Sequence, residues 1–450
     1  MTRVRPEGLD TRLASLAQTM APYGDQMTRA LVDLCRIPSV KGEPLPEAPY
    51  GAETARALAR FLAIGTELGF RAVNLDNRVG YVEYGQGRRL VAVLAHLDVV
   101  PAGDGWQTDP FEPVVLPDRI IARGAIDDKG PLVAALFALK ALADEGFQPD
   151  ARIRIIAGLD EECGSSCMQH YARIEELPDA GFTPDADFPV INAEKGIVSF
   201  DLVVRGGQPA ADSLRLVAGR AGSRTNVVPG QCHLLLVDAS GEQESHYTGQ
   251  PAHASTPWKG QNAIAAAMAD VQRRLADAGC RHPFVDFYNQ AIGMSWRGEG
   301  LRIAGEDASG PLTLNAGVLK LDEQEGRLSV DIRYPVTWSL DRLLAAMQPR
   351  LAELGAELEI VRNSPPLYYP PESPLINTLA GILQDLTGFP ERTLAIGGGT
   401  YARTMPNIVA FGPTFPGDPE TMHQPGEYIT QQTLGASAAI FRQALRQLAQ

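Results

Sequence analysis

The sequence predicts an α/β fold, with a mostly parallel central sheet, helices on both faces, and an inserted antiparallel α+β domain. Three observations carry this expectation. Up to about residue 196, apolar strand-like runs alternate with amphipathic helical segments, and parallel strands need such crossover helices. Histidine and acidic residues stand at the ends of three of these elements, where α/β sheets place their ligand sites. From residue 196 to 370 the texture changes to half-buried alternating strands accompanied by two helices.

In chain order, amphipathic spacing predicts helices over 9–34 and 52–68. Apolar runs predict strands over 91–95 and 153–157, and between them a helix over 131–146 carries Leu132, Leu136, Leu139 and Leu142 on one face. In the second region, strands are expected over 197–205, 233–237 and 327–334, with helices over 262–277 and 340–354. The turn-rich segment 363–371 closes that region, after which 374–388 and 431–448 read as helices again, with a glycine loop between them. The expected organisation is 1–196 and 373–450 as two parts of one catalytic domain, with 197–372 inserted as a lid.

A chain of 450 residues, 44% hydrophobic, exceeds what one core organises. With 54 acidic against 40 basic side chains, the net charge of −14 argues against nucleic acid or an anionic membrane as partner. No apolar run is long enough to span a bilayer and no basic-then-apolar leader is read, so the cytoplasm is the expected address. The five cysteines are odd in number and scattered, which suits reduced thiols. Cys163 and Cys167 could be soft metal ligands, but no second pair completes a tetrahedral site, and packing is the expected role.

The chemistry begins at His96-Leu97-Asp98, at the end of an apolar run. Period two on a strand puts both side chains on one face, where the carboxylate can hold one ring nitrogen while the other binds a metal; a simple hydrogen-bonded pair is the alternative. Asp127-Asp128 lies in a glycine-flanked turn at a helix start, which also suits an N-cap. Asp160-Glu161-Glu162 follows the second apolar strand. His253 sits in the small-residue loop Gly249-Gln250-Pro251-Ala252-His253-Ala254-Ser255, a poor place for a core histidine. The glycines of Gly397-Gly398-Gly399-Thr400 let backbone N–H groups approach an anion, without the residues of a P-loop or the Rossmann spacing.

Together these motifs resemble a family. His96-Leu97-Asp98-Val99-Val100-Pro101, Gly124-Ala125-Ile126-Asp127-Asp128-Lys129-Gly130, Asp160-Glu161-Glu162, Pro184-Asp185-Ala186-Asp187, Ala252-His253-Ala254-Ser255, the glycine loop and Met422-His423-Gln424 occur in the order found in the di-zinc peptidase family M20. That family includes aminoacylase, desuccinylase, glutamate carboxypeptidase and carnosinase, and the PepV-like bacterial dipeptidases are the most similar group. The resemblance implies two divalent metals, zinc with manganese or cobalt as alternatives, bridged by Asp127 and a water. It puts His96 and Asp185 on one metal, with Asp187 as the rival ligand, and Glu162 and His423 on the other. It further implies Glu161 as general base, Asp98 as the carboxylate behind His96, and a cis peptide between Asp127 and Asp128. His253 would stabilise the oxyanion, and Asn226, Arg333, Gly398, Gly399 and Thr400 would contact substrate. For Arg333 the expected partner is a terminal carboxylate, with a surface salt bridge as rival.

One departure stands out: Pro425-Gly426-Glu427 follows where PepV-like enzymes carry an acidic pair, so one contact near the substrate amine is missing. The resemblance implies hydrolysis of dipeptides with a free C-terminal carboxylate. An N-acyl amino acid deacylase and a non-catalytic metal-binding homologue are the alternatives, and retention of Glu161 argues against the latter. The long insertion implies a monomer whose own His253 completes the site.

Overall fold

The computed structural model describes residues 4–206, 213–390 and 392–450. Two compact units emerge, one of Met1–Asn192, Tyr369–Leu394 and Gly399–Gln450, the other of Ala193–Tyr368 and Ala395–Gly398.

The first unit is built on β1 (Arg71–Leu75), β2 (Val79–Tyr84), β3 (Arg89–His96), β4 (Ala151–Gly158), β5 (Ala180–Thr183), β6 (Val190–Glu194) and β7 (Ile408–Phe411). Their order across the sheet is β1-β2-β4-β3-β5-β7-β6. The central β4, β3, β5 and β7 run parallel, and β2 and β6 flank them antiparallel. From Leu90 to His96, β3 is wholly buried, the continuous apolar run that a strand covered on both faces requires. Adjacent residues of β2 show the two covered faces: the Tyr81 ring packs on Tyr171 of helix Ser166–Ile174, while Val82 abuts Gly65 of helix Ala52–Glu67. Helix Lys129–Asp144 is almost entirely buried and packs against Gln431–Leu448.

Two expectations change here. The helix expected over 9–34 is two helices, Leu9–Thr19 and Gly24–Cys35, separated by a short 3₁₀ turn. Pro22 explains the break, because it has no N–H to donate and its ring clashes with the carbonyl four residues back. The hairpin of β1 and β2 was not anticipated; it turns through Asp76 and Asn77, both at positive φ as a type I′ turn demands.

The second unit is a seven-stranded sheet. Across it run Gly241–Thr248, Gln231–Asp238, Arg215–Ala221, Thr313–Leu321, Glu325–Tyr334, Gly196–Arg205 and Ala356–Ser364, each antiparallel to its neighbours. Helices Ala263–Asp277, Pro283–Ala291 and Leu340–Glu353 cover one face and share a core with Cys232, Leu234, Leu236, Leu328 and Val330. The sequence reading found three of these seven strands, because the others carry polar or glycine-interrupted alternation. Among the described residues no helix is long and apolar enough to cross a membrane.

Candidate metal centre

The first unit gathers its titratable groups where the parallel strands end. His96 is the last residue of β3, in register with Gly158, the last of β4. Glu161 and Glu162 follow β4, Asp185 follows β5, and Asp127 closes the turn before helix Lys129–Asp144. His423 enters from the loop after β7 at a φ of 62°. The segment carrying Asp185 is pinned by Phe188, whose ring lies 4.9 Å from Phe411 and 4.7 Å from Phe415.

Asp127 is the hub. Its Oδ1 is 3.0 Å from His96 Nε2 and its Oδ2 is 2.8 Å from His423 Nε2. His423 Nε2 also lies 3.1 Å from Glu162 Oε1, and His96 Nε2 lies 3.8 Å from Asp185 Oδ2. Ligand atoms of His96, Asp127 and Glu162 all fall within 4.8 Å of one another, as do those of His96, Glu161 and Asp185. Asp187 instead lines a cavity of about 610 Å³ with Asp418, Glu420 and Met422. The Asp127–Asp128 peptide is cis.

The donor set fits a cation. His96 Nδ1 meets the main-chain oxygen of Asp98 at 2.8 Å, which places the ring proton there and leaves the Nε2 lone pair pointing inward. That buried Nε2 has no hydrogen-bond partner and faces carboxylate oxygens of Asp127 and Asp185. Acceptor against acceptor is unfavourable unless a positive charge stands between them. Without a cation, the same surplus of negative charge acts on the ring's own protonation. Burial alone would lower His96, yet Asp127, Asp185 and Asp98 hold it well above its usual range. Burial, reinforced by Glu162, Asp98 and Asp127, pushes the Glu161 carboxyl up to about 8. Burial and then Asp127 raise Asp185 well above the usual carboxylate range.

Asp98 differs from the sequence expectation. It holds His96 through its backbone oxygen, while its carboxylate, 3.6 Å from Nδ1, accepts the N–H groups of Glu161 and Glu162 at 3.1 and 3.2 Å. One residue therefore orients the histidine and fixes the turn that presents both glutamates. Burial, countered by His96, leaves its carboxyl at about 6.

Several supporting residues escaped the sequence reading. Arg123 and Glu427 form a fully buried pair at 2.5 Å, and Glu427 Oε1 accepts the N–H groups of Ile126 and Asp127 at 3.1 and 3.3 Å. Glu427 thus fixes the backbone at the hub. Lys129 Nζ donates to Leu34 O and Ile37 O, tying the centre to the end of helix Gly24–Cys35. Asp160 is occupied by Lys41 and Ser166, which leaves Glu161 and Glu162 to face the cluster. Asp128 accepts the His96 N–H at 3.1 Å. Gly158 cannot be larger, since a Cβ there would come within 2.1 Å of the Tyr401 hydroxyl.

The remaining expected residues divide between the units. In the second, Asn226 O accepts Ala254 N–H and Val227 bridges His253, so these two segments run together. His253 Nδ1 lies 2.7 Å from Ser255 Oγ. Arg333 is no surface salt bridge: it is buried, with Nε and Nη2 on Asp331 at 2.5 and 3.2 Å and Nη1 on Gly397 O, next to Gly398. In the first unit, Thr400 follows Gly399 and its hydroxyl accepts Ala402 N–H as a helix cap.

Comparison with known proteins matches residues 92–447 to the model of peptidase family M20/M25/M40. The chain belongs to this family. It is 38% identical to "Putative dipeptidase YtjP" of Bacillus subtilis, covering 94% of this chain and 97% of that one. It is 34% identical to "Putative dipeptidase SH1171" of Staphylococcus haemolyticus, at 95% and 97% coverage. Among solved structures, human carnosine dipeptidase 1 shares the fold at a TM-score of 0.58 and 15% identity, over 97% of this chain and 99% of that one. Aminoacylhistidine dipeptidase from Vibrio alginolyticus does so at 0.59 and 16%, over 94% and 96%. The chain is a peptidase of a metal-dependent family, and its His96–Asp127–Glu162 cluster is of the kind that holds metal.

Proposed function

We propose that this protein is a dipeptidase that hydrolyses short peptides with a free C-terminal carboxylate at a dinuclear metal centre. The observation that carries this reading is the placement of two histidine nitrogens against the two oxygens of one carboxylate, Asp127. A carboxylate shared in this way screens the repulsion between two cations about 3.5–4 Å apart. His96 and Asp185 would hold one, Glu162 and His423 the other; their oxygen and nitrogen donors suit zinc, with manganese or cobalt as alternatives. When bound, such a pair acidifies water and polarises the scissile carbonyl.

The protein's own groups do the rest. Glu161, adjacent to a ligand and held by Asp98 through its N–H, takes a proton from the attacking water and passes it to the departing amine as the C–N bond breaks. Asp98 keeps the His96 proton on Nδ1. His253 is proposed as the oxyanion donor, and Asn226 with the Gly398–Gly399 segment as substrate contacts. Arg333, with Nε and Nη2 clamped by Asp331 and Nη1 donating to Gly397 O, is proposed to meet substrate only through the N–H groups these contacts leave over. The activity of the similar dipeptidases supports dipeptides as the substrate class, and the long insertion supports a monomer. Zinc-loaded protein assayed on matched panels of dipeptides and N-acyl amino acids tests the reading. Faster turnover of dipeptides is expected, and exclusive turnover of the acylated panel would replace it with the deacylase.

A further inference from the structure

On the second unit's sheet, His233 and His246 stand directly opposite each other on adjacent antiparallel strands. Cys232 and Leu234 point into the helix-covered core, so strand alternation sends both imidazoles to the other face. Their Nδ1 atoms are 2.6 Å apart and the ring planes are nearly perpendicular. With protein atoms alone, this contact requires one ring to donate its Nδ1 proton to the other. Glu244 Oε2 lies 3.5 Å from His246 Nε2, which favours the proton on that nitrogen and leaves the Nδ1 lone pair turned toward His233. Glu244 also joins Arg220 in lining a cavity of about 310 Å³ over the pair.

We propose that His233 and His246 chelate one divalent transition-metal ion, copper, nickel or zinc, through their Nδ1 atoms, with Glu244 orienting His246 from behind. Imidazole suits these three ions. Nitrogens bound at ~2.0–2.1 Å to one ion stand about 3 Å apart, so the rings need part by only a few tenths of an ångström. The antiparallel pairing has already fixed both side chains on one face, so little chain ordering is left for the ion to impose. This site is separate from the family's metal centre and independent of the proposed function.

Cu²⁺ titration of the zinc-loaded protein against a glycine competitor tests the proposal, with the bound ion read by electron paramagnetic resonance. Uptake at the family centre is common to all variants, so differences between them isolate this site. Wild type is expected to bind one Cu²⁺ more than the double variant His233→Gln/His246→Gln, and that ion should carry two equatorial nitrogens. His233→Gln and His246→Gln should each weaken it about ten-fold or more, and Glu244→Gln about ten-fold, the usual range for a carboxylate supporting a metal-bound histidine. Circular dichroism of each variant checks that the sheet is intact. Equal Cu²⁺ uptake and affinity in wild type and the folded double variant His233→Gln/His246→Gln would overturn the proposal.

Discussion

His423 Nε2 lies 2.8 Å from Asp127 Oδ2, while the other oxygen of that carboxylate faces His96. Residues far apart in the chain thus converge on a single side chain. The convergence depends on parallel strand ends, which bring His96 and the glutamates together, and on the buried Arg123–Glu427 pair beneath Asp127.

Glu161 separates catalysis from binding. Glu161→Gln keeps size and hydrogen bonding but removes the base, so turnover should fall by roughly 10²–10⁴-fold with metal content unchanged. Turnover and metal analysis on one preparation check it. Wild-type turnover would remove Glu161 from the chemistry, and loss of metal would make it a ligand.

Arg123→Met should be strongly destabilising. Both partners of its ion pair are buried, and removing one side of such a pair costs about 3–5 kcal/mol because the other charge is left uncompensated. Adding Glu427→Gln removes that charge while retaining an oxygen for the N–H groups of Ile126 and Asp127, so the double variant should recover much of the loss. Urea midpoints of the three proteins decide it; a double variant no more stable than Arg123→Met contradicts the account.

Lys129 gives a pH signature. Burial lowers its ammonium to about 8, against 10.5 for a free lysine. Between those values the unfolded chain binds more protons than the folded one, so this residue makes stability rise with pH through that window. Cys35, pushed up to about 12 by burial, acts in the opposite direction from pH 9 upward. The Lys129 charge itself lowers the Cys35 thiol, so the comparison with Lys129→Met is read below pH 9, where Cys35 stays protonated in both states. The stability of wild type relative to Lys129→Met should therefore rise between pH 7 and 9, by a few kcal/mol at most. A difference independent of pH would show that Lys129 is not titrating in the fold.

How much of this was legible in the sequence depends on how local each signal is. The apolar runs Leu90–Ala95 of β3 and Ile155–Gly158 of β4 announce buried parallel strands, and the His, Asp and Glu residues at their ends announce a site. Pro22 was a readable break that helical periodicity on either side concealed. The Arg123–Glu427 pair had no local signature, because each residue looks like an ordinary surface charge until folding buries both. Asp98 shows a finer limit. Spacing placed it beside His96, but only the path of the chain after β4 shows its carboxylate turned to the N–H groups of Glu161 and Glu162. Arg333 likewise looked free to grip a substrate, while its nearest carboxylate is Asp331, two residues earlier on the same strand.

The most direct measurement of the central claim is the anomalous diffraction of crystals of the zinc-loaded protein at the zinc edge. Two peaks are expected about 3.5–4 Å apart, each bound by one oxygen of Asp127, with His96 and Asp185 on one and Glu162 and His423 on the other. A single peak, or two peaks that do not share Asp127, would contradict the dinuclear centre.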